Sequence, residues 1–324
     1  DPPTHTTHQQ PHTAPTTPPL TLAILVLHLA TLISDAPSLS PVLRRPHRYL
    51  TMMHLLASSL AFNVGSRLPA FRLASSAVKC GLSGARMAIE TSTTGELGTT
   101  EFKMSFSEGG KTISPWHDIP LDAGNGLYNA VIEIPKMTFK KMEADTKAEG
   151  NPIVQDEKKG KPRLYHGPIF WNYGFLPQTW EDPNVKGDAD VGGAFGDDDP
   201  MDVVEIGAAT QEMGAVIQIK ALGVLSMIDD GELDWKLIAI AANDEHAASI
   251  NDVDDIEKFY PGTVSGIREW FRWYKTPDGK PVNGYGHGER ALPAADAKKA
   301  IAETNAHYKA AAAGTADKGK LWFP

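Results

Sequence analysis

Short apolar runs separated by turn-forming residues fill the middle of the chain. They cover residues 129–134, 202–206, 215–227 and 235–241, and clusters of Gly, Pro and Asp lie between them. Runs of this length that are rich in Val and Ile predict β-strands, and the clusters predict the turns that join them.

Two helices are predicted after these strands. Four apolar residues follow one another at spacings of three, four and three, which places them on one helical face: Val264, Ile267, Phe271 and Tyr274. The Ala- and Lys-rich segment 294–313 predicts the second helix. Strands followed by helices predict an α+β domain built around an antiparallel sheet or barrel.

The first part of the chain differs from the rest in charge. Residues 1–87 carry seven basic and two acidic side chains, which leaves a net charge of −14 on the remainder of a chain whose total is −9. The apolar run 20–33 has 14 residues, fewer than the about 20 that span a bilayer. We therefore expect no membrane anchor. We also expect no nucleic-acid partner, because binding nucleic acid needs clustered Lys and Arg and the chain is negatively charged overall.

The same segment has the composition of a leader. A basic, Ser- and Ala-rich stretch without acidic residues follows Met52, which is typical of organelle transit peptides. We expect residues 1–88 to be a disordered leader, with upstream or signal sequence to about residue 51 and a transit peptide after it. A disordered extension without a targeting role is the alternative. Residues 89–324 are then the folded domain.

An acidic cluster is the densest chemical feature of that domain. Nine acidic residues and one basic residue lie between Glu181 and Glu205. Asp202 begins an apolar strand, where an unpaired carboxylate is costly, and hard oxygen ligands suit Mg²⁺, Mn²⁺ or Ca²⁺. The pattern favours a metal site over a solvated acidic loop. It is not an EF-hand, because Asp202 and Ala208 stand where Gly and Glu are needed.

Further charged groups predict an anionic substrate. Asp229 and Asp234 flank a predicted turn, and Lys236 follows on the same strand face as Asp234. Lys141, the basic run 158–163 and Tyr274-Lys275 supply positive charge elsewhere. Each group alone is compatible with a polar loop or a solvated surface. Together they describe a site for a polyanion bridged by divalent metals.

The acidic string carries a family resemblance. Residues 197–202, Asp-Asp-Asp-Pro-Met-Asp, resemble the D-x-D-P-x-D signature of family I soluble inorganic pyrophosphatases. Further blocks follow in the family's order between about residues 95 and 308: 131–135, 151–156, 171–174, 177–183, 229–236 and 270–275. The block 171–174 is most similar to plastid members of plants and algae.

The resemblance implies a fold and an activity. The fold is an OB-like five-stranded β-barrel with flanking α-helices. The activity is that of an inorganic diphosphatase, in which a metal-activated water hydrolyses pyrophosphate to two phosphates. Several Mg²⁺ ions per active site are implied, with Mn²⁺ as the alternative.

The resemblance also assigns residues by position. The principal metal ligands are Asp197, Asp202 and Asp234, and further metal ions fall to Asp229 and Glu143. Asp199 matches the carboxylate that deprotonates the attacking water. Six residues match groups that hold the phosphates: Lys141, Arg163, Tyr173, Lys236, Tyr274 and Lys275. Of these, Tyr173, Lys141 and Arg163 join Asp199 as catalytic candidates, and Glu133 and Asp156 match other acidic positions of the site.

Two departures from the family pattern leave questions open. Ile169 stands where the family often has a second tyrosine, so the proton donor to the leaving phosphate is open, with Tyr165 as a candidate. Lys136-Met137 replaces the Arg-Trp pair that supports dimerisation in eukaryotic members, so monomer and homodimer are both open.

The resemblance leaves alternatives for location and function. The plastid stroma is the expected location, with the mitochondrion and the cytoplasm as alternatives. The functional alternatives are a catalytically inactive OB-like module that binds metal or a partner, and a phosphohydrolase acting on a larger phosphate ester.

Overall fold

The computed structural model describes residues 88–324, so the leader predicted for residues 1–88 lies outside the described residues except for Ala88. The strands in chain order are β1 (Ile89–Thr94), β2 (Lys103–Glu108), β3 (Lys111–Ile113), β4 (Asp122–Gly124), β5 (Leu127–Ile134), β6 (Thr138–Lys140), β7 (Met142–Ala144), β8 (Ile153–Gln155), β9 (Glu157–Lys158), β10 (Lys161–Pro162), β11 (Leu164–Ile169), β12 (Asn172–Phe175), β13 (Asp202–Glu205), β14 (Val216–Asp229), β15 (Glu232–Ala241), β16 (Gly284–Tyr285) and β17 (Leu292–Pro293). The helices are α1 (Val253–Phe259), α2 (Thr263–Trp273) and α3 (Ala294–Ala312), and short 3-10 segments cover Ala189–Val191, Thr276–Asp278 and His287–Glu289.

Five strands pair in a ring. β5 pairs with β12, β12 with β13, β13 with β15, β15 with β14, and β14 again with β5. The predicted five-stranded barrel is confirmed. One pairing differs from the antiparallel expectation, because β13 and β15 run parallel. β13 runs in the direction of β5, since both pair antiparallel with β12. β15 also runs in that direction, since β5 and β15 both pair antiparallel with β14.

A tight hairpin joins the two longest strands. β14 ends at Asp229 and β15 begins at Glu232, so only Asp230 and Gly231 form the loop. Both have positive φ, 50° and 98°, as the two-residue turn favoured in hairpins requires. The predicted turn between Asp229 and Asp234 is therefore present.

The helices cover the barrel with the faces predicted for them. In α2, Ile267 and Phe271 are buried, while Val264 packs at the edge of the core. In α3 the buried side includes Ile301 and four alanines, which let the helix lie close to β14. Burial of an Ile or Phe side chain contributes about 1.5–3 kcal/mol, so these faces hold the helices in place.

A glycine sets how closely two barrel strands approach. A Cβ placed on Gly174 in β12 would lie 1.9 Å from the backbone oxygen of Val131 in β5. Only glycine fits this contact without moving backbone. The close approach of β12 to β5 fixes the position of Tyr173, the residue before Gly174 in β12.

An outer sheet lies beside the barrel. β1, β2, β8 and β7 pair in that order, with β3 added to β2, and the short pairs β9–β10 and β6–β11 extend this region. Among the described residues, no helix is long and apolar enough to cross a membrane.

Candidate active site

One cavity of about 570 Å³ opens between the barrel and the outer sheet. All the residues that the sequence assigned to the site line it: Glu133, Lys141, Glu143, Asp156, Arg163, Tyr173, Asp197, Asp199, Asp202, Asp229, Asp234, Lys236, Tyr274 and Lys275. These positions come from separate strands and loops, so the fold brings together what the chain holds far apart. Their individual roles stay predictions.

A buried lysine is paired with two carboxylates in the cavity wall. The parallel pairing of β13 with β15 places Asp202 opposite Lys236, and Asp234 lies on the same face two residues earlier. The ammonium of Lys236, only 2% exposed, contacts both carboxylates. Burial alone would lower the pKa of Lys236, but the two carboxylates outweigh burial and hold this pKa well above its usual value.

Tyr173 completes this cluster. Its hydroxyl donates to a carboxylate oxygen of Asp202 and accepts from Lys236 Nζ at 3.2 Å. Burial raises the pKa of Tyr173 well above its usual value, and the carboxylate of Asp202 raises it further. The hydroxyl is thus a fixed donor, and it orients Asp202.

The acidic side of the cavity is crowded with carboxyl groups. Burial raises the pKa of Asp199 to about 7, with Glu143 and Asp202 adding to the effect. Burial also raises the pKa of Asp234 to about 7 against the opposing effect of Lys236, and it holds the pKa of Asp197 well above normal. Carboxyl groups crowded in this way repel one another when ionised, and a cation that shares the site stabilises their charged form.

The basic side faces these carboxyls. Lys141 Nζ lies 2.5 Å from a carboxylate oxygen of Glu143 and 2.7 Å from one of Asp156. Arg163 Nη1 binds the same Asp156 oxygen at 3.0 Å. Asp156 therefore holds a lysine and an arginine side by side, and an arginine fork with a lysine is suited to a phosphate group.

A third charged group closes the cavity at the hairpin. One oxygen of Asp229 accepts from the ammonium of Lys275 and from the Tyr274 hydroxyl, the latter at 3.4 Å. The other oxygen, Asp229 Oδ1, is buried and has no hydrogen-bond partner among the described residues. A buried carboxylate oxygen without a donor costs free energy, and a divalent cation would satisfy it. The residues present therefore fit Mg²⁺, which prefers such oxygen ligands.

Two further acidic residues are nearly fully buried, Glu133 within the cavity lining and Glu181 outside it. Glu133 is 5% exposed and accepts from the Ala144 amide at 2.6 Å, and burial raises its pKa well above normal. Glu181 was counted in the acidic cluster but given no role by the sequence. It is 3% exposed, and both its oxygens accept from the Trp235 amide, at 3.3 and 3.1 Å. Its position in the Trp-Glu-Asp block was the available signal.

The sequence also missed Gln155, which lines the cavity and is 3% exposed. Tyr165, the suggested proton donor, lines the same cavity and is buried, with burial raising its pKa. Ile169 lies fully buried in the hydrophobic core, so its position contributes no polar group to the site.

Comparison with known proteins places this geometry in a family. The family model described as inorganic pyrophosphatase matches residues 130–309. The chain belongs to the inorganic pyrophosphatase family. The resemblance seen in the sequence is confirmed.

Two similar proteins, one from a plant and one from an alga, carry the word chloroplastic in their names. The chain is 49% identical over 228 residues to soluble inorganic pyrophosphatase 6, chloroplastic, of Arabidopsis thaliana, covering 70% of this chain and 76% of the relative. It is 52% identical over 214 residues to soluble inorganic pyrophosphatase 1, chloroplastic, of Chlamydomonas reinhardtii, covering 66% and 76%.

Solved pyrophosphatase structures share the fold. The type I inorganic pyrophosphatase of Toxoplasma gondii aligns with a TM-score of 0.67 and 47% identity, over 68% of this chain and 99% of that one. An N-terminally truncated vacuolar soluble pyrophosphatase of Trypanosoma cruzi, in complex with PPi, aligns with a TM-score of 0.66 and 38% identity, over 76% and 98%. The α+β barrel architecture is thus that of soluble pyrophosphatases.

Proposed function

We propose that this chain hydrolyses inorganic pyrophosphate to two phosphates in a Mg²⁺-dependent reaction. The observation that carries the proposal is that carboxylates and basic groups face each other across one cavity. We call the carboxylate side the acidic wall and the side with Lys141 and Arg163 the basic wall. Carboxylates cannot bind a phosphate anion directly, and basic groups alone cannot hold a cation. A substrate bridged by divalent cations satisfies both walls. Membership of the inorganic pyrophosphatase family supports the same activity.

The metal ligands we propose are the oxygens of the acidic wall. Asp197, Asp202 and Asp234 would hold the principal ions, and Asp229 and Glu143 would hold further ones. The unpartnered Asp229 Oδ1 supports this assignment. Bound Mg²⁺ would lower the pKa of a water molecule and neutralise phosphate charge.

The protein's own groups then have defined tasks. Asp199 accepts a proton from the attacking water while the water oxygen bonds to one phosphorus of pyrophosphate. The bond from that phosphorus to the bridging oxygen then breaks. Arg163 and Lys141 bind the phosphate that leaves and stabilise the negative charge that develops on it. Lys236, Tyr274 and Lys275 bind the other phosphate oxygens, and Tyr173 keeps Asp202 oriented.

A phosphate-release assay tests the activity. The full chain should release phosphate from pyrophosphate with Mg²⁺ and stop when a chelator is added. An inactive metal-binding module would bind Mg²⁺ without turnover. A phosphohydrolase of larger esters would hydrolyse ATP or sugar phosphates faster than pyrophosphate, which would contradict the proposal.

We also propose that the chain acts in the plastid stroma. The leader composition and the chloroplastic descriptions of two relatives support this location. A full-length fluorescent fusion should co-localise with plastids, and the N-terminus of the mature protein should begin near residue 89. A mitochondrial or cytoplasmic signal would contradict the location, and recovery of residues 52–88 on the mature protein would contradict cleavage.

A further inference from the structure

Lys141 and Arg163 of the basic wall, together with Asp156 that pairs with both, are joined by a closed ring of backbone hydrogen bonds. The Lys141 amide donates to the Arg163 carbonyl at 3.2 Å, the Arg163 amide to the Asp156 carbonyl at 2.7 Å, and the Asp156 amide to the Lys141 carbonyl at 3.0 Å. Each residue thus donates to the next, and the third returns to the first. We call these three residues the carbonyl ring.

No member of the carbonyl ring lies inside a strand. Lys141 falls between β6 and β7, Asp156 follows β8, and Arg163 falls between β10 and β11. Each member lies next to a paired strand residue, so strand pairing sets its neighbours. The ring and the groups that bind it set the three junction residues themselves.

One side chain binds every member of the ring. Gln155 Nε2 donates to the carbonyls of Lys141 at 2.8 Å, Asp156 at 3.1 Å and Arg163 at 2.9 Å. The two hydrogens of this amide group are thus shared among the three carbonyls, and each carbonyl also accepts one hydrogen bond from a backbone amide. The amide group lies at the point where the three oxygens converge.

The other end of the same amide is unused. Gln155 Oε1 is buried and has no hydrogen-bond partner among the described residues. Leaving a buried acceptor unpaired costs free energy, so the structure tolerates this cost for the sake of the donor end. Glutamate or methionine has nearly the same shape but offers no amide donor.

We propose that Gln155 is a positioning residue that sets the Lys141 and Arg163 side chains at the distance a phosphate requires. The inference rests on the proposed function, in which these two side chains bind the leaving phosphate. Gln155 acts through the ring backbone and through Asp156, whose carboxylate holds both basic groups. Its loss would disturb the basic wall and leave the proposed principal metal ligands in place, because Asp197, Asp202 and Asp234 share no ion pair with the ring among the described residues.

The test is the variant Gln155→Met in the full chain. We expect kcat/KM for pyrophosphate to fall about 10–100-fold, mainly through KM, because small misplacement of binding groups has effects of this size. The Mg²⁺ concentration for half-maximal activity should stay within about twofold, since the proposed ligands of the principal ions, Asp202 and Asp234, pair with Lys236 and not with the ring.

A matched control separates positioning from lost packing. Gln178 also uses its side-chain amide, which donates to the His117 carbonyl at 2.9 Å and accepts from the Leu121 amide at 3.3 Å, and it does not line the cavity. Gln178→Met should lower the melting temperature without raising KM. If Gln155→Met shows no cooperative melting transition, Gln155→Asn, which keeps an amide on a shorter side chain, should show the same KM pattern with a smaller loss.

A double-variant cycle with Arg163→Lys decides the mechanism. If Gln155 acts through Arg163, the double variant should lose less than the product of the two single losses. Losses that multiply, or a Gln155→Met variant within about twofold of the parent, would overturn the positioning role. Full activity of Arg163→Lys alone would instead overturn the proposed phosphate-binding role of Arg163, and the inference with it.

Discussion

The pairing of Lys236 with Asp202 and Asp234 gives a sharp prediction about stability. The substitution Lys236→Met keeps the length of the side chain and removes its charge. The buried carboxylate of Asp234 and the half-buried one of Asp202 then lose their only contacting ammonium among the described residues. The loss should depend on whether another cation is available to them.

The expected size follows from the burial of the pair. Removing one partner of a buried ion pair costs about 3–5 kcal/mol because the remaining charge is uncompensated. In a domain of this length, each kcal/mol shifts the melting temperature by about 2–4 °C. We expect Lys236→Met to melt roughly 6–20 °C below the parent in the presence of chelator at pH 8.

Divalent cations should reverse much of this loss. If Asp202 and Asp234 bind Mg²⁺ as proposed, Lys236 competes with the ion for these carboxylates in the parent chain, and Mg²⁺ should stabilise the variant more than the parent. Differential scanning calorimetry of both proteins, with chelator and with saturating Mg²⁺, measures the difference directly. The gap between their melting temperatures should shrink to less than about half when Mg²⁺ is added.

Lys220 offers the matched control. Its ammonium is held by the backbone oxygens of Ala247 and Ile250 and by the Asn251 side chain, which are all neutral. Lys220→Met should lose some stability, and Mg²⁺ should restore none of it. A Lys236→Met variant that melts within about 2 °C of the parent in chelator, or that gains nothing from Mg²⁺, would refute the idea that these carboxylates form a cation site.

Two further predictions concern the scaffold. Burial lowers the pKa of His117 to about 4, below the about 6.5 of an unfolded chain, so the neutral side chain stabilises the fold above pH about 6.5 and this stability is lost as pH falls toward 4. Between pH about 7.5 and about 4.5, the free energy of unfolding in urea should therefore fall by about 2 kcal/mol less in His117→Asn than in the parent. Equal losses in the two proteins would contradict this. Gly174→Ala should lower the unfolding free energy by about 1–3 kcal/mol or more because its Cβ would meet Val131 backbone, whereas Gly167→Ala, where the added Cβ meets nothing within 4 Å, should be nearly neutral; equal effects would contradict the steric argument.

Local patterns explain what the sequence predicted well. The Asp230-Gly231 turn is a short-range signal, and it brings Asp229 and Asp234 to the same end of the β14–β15 hairpin. The strand that begins at Asp202 was visible as an apolar run behind a carboxylate. For these residues the chemistry and the secondary structure are written within a few positions of each other.

Long-range geometry explains what the sequence did not show. The carbonyl ring joins residues 141, 156 and 163 at strand junctions, and no periodicity marks such contacts. Gln155 was therefore seen only as part of the family block 151–156 and was given no role. The role of Glu181 was similarly hidden, because its carboxylate accepts from the backbone amide of Trp235, which lies 54 positions away in the chain. The parallel alignment of β13 with β15 also depends on the path of β14, which a local pattern does not encode.

The central claim is that the acidic wall activates water for pyrophosphate hydrolysis, and Asp199→Asn tests it most directly. Asp199 lines the cavity, whereas its neighbour Asp198 does not and accepts instead from the Trp180 indole at 3.1 Å. With Mg²⁺ and saturating pyrophosphate, Asp199→Asn should lose about 100-fold or more in kcat, while Asp198→Asn should keep most of its activity and both should remain folded. Full turnover by Asp199→Asn, or equal losses in the two variants, would contradict the account.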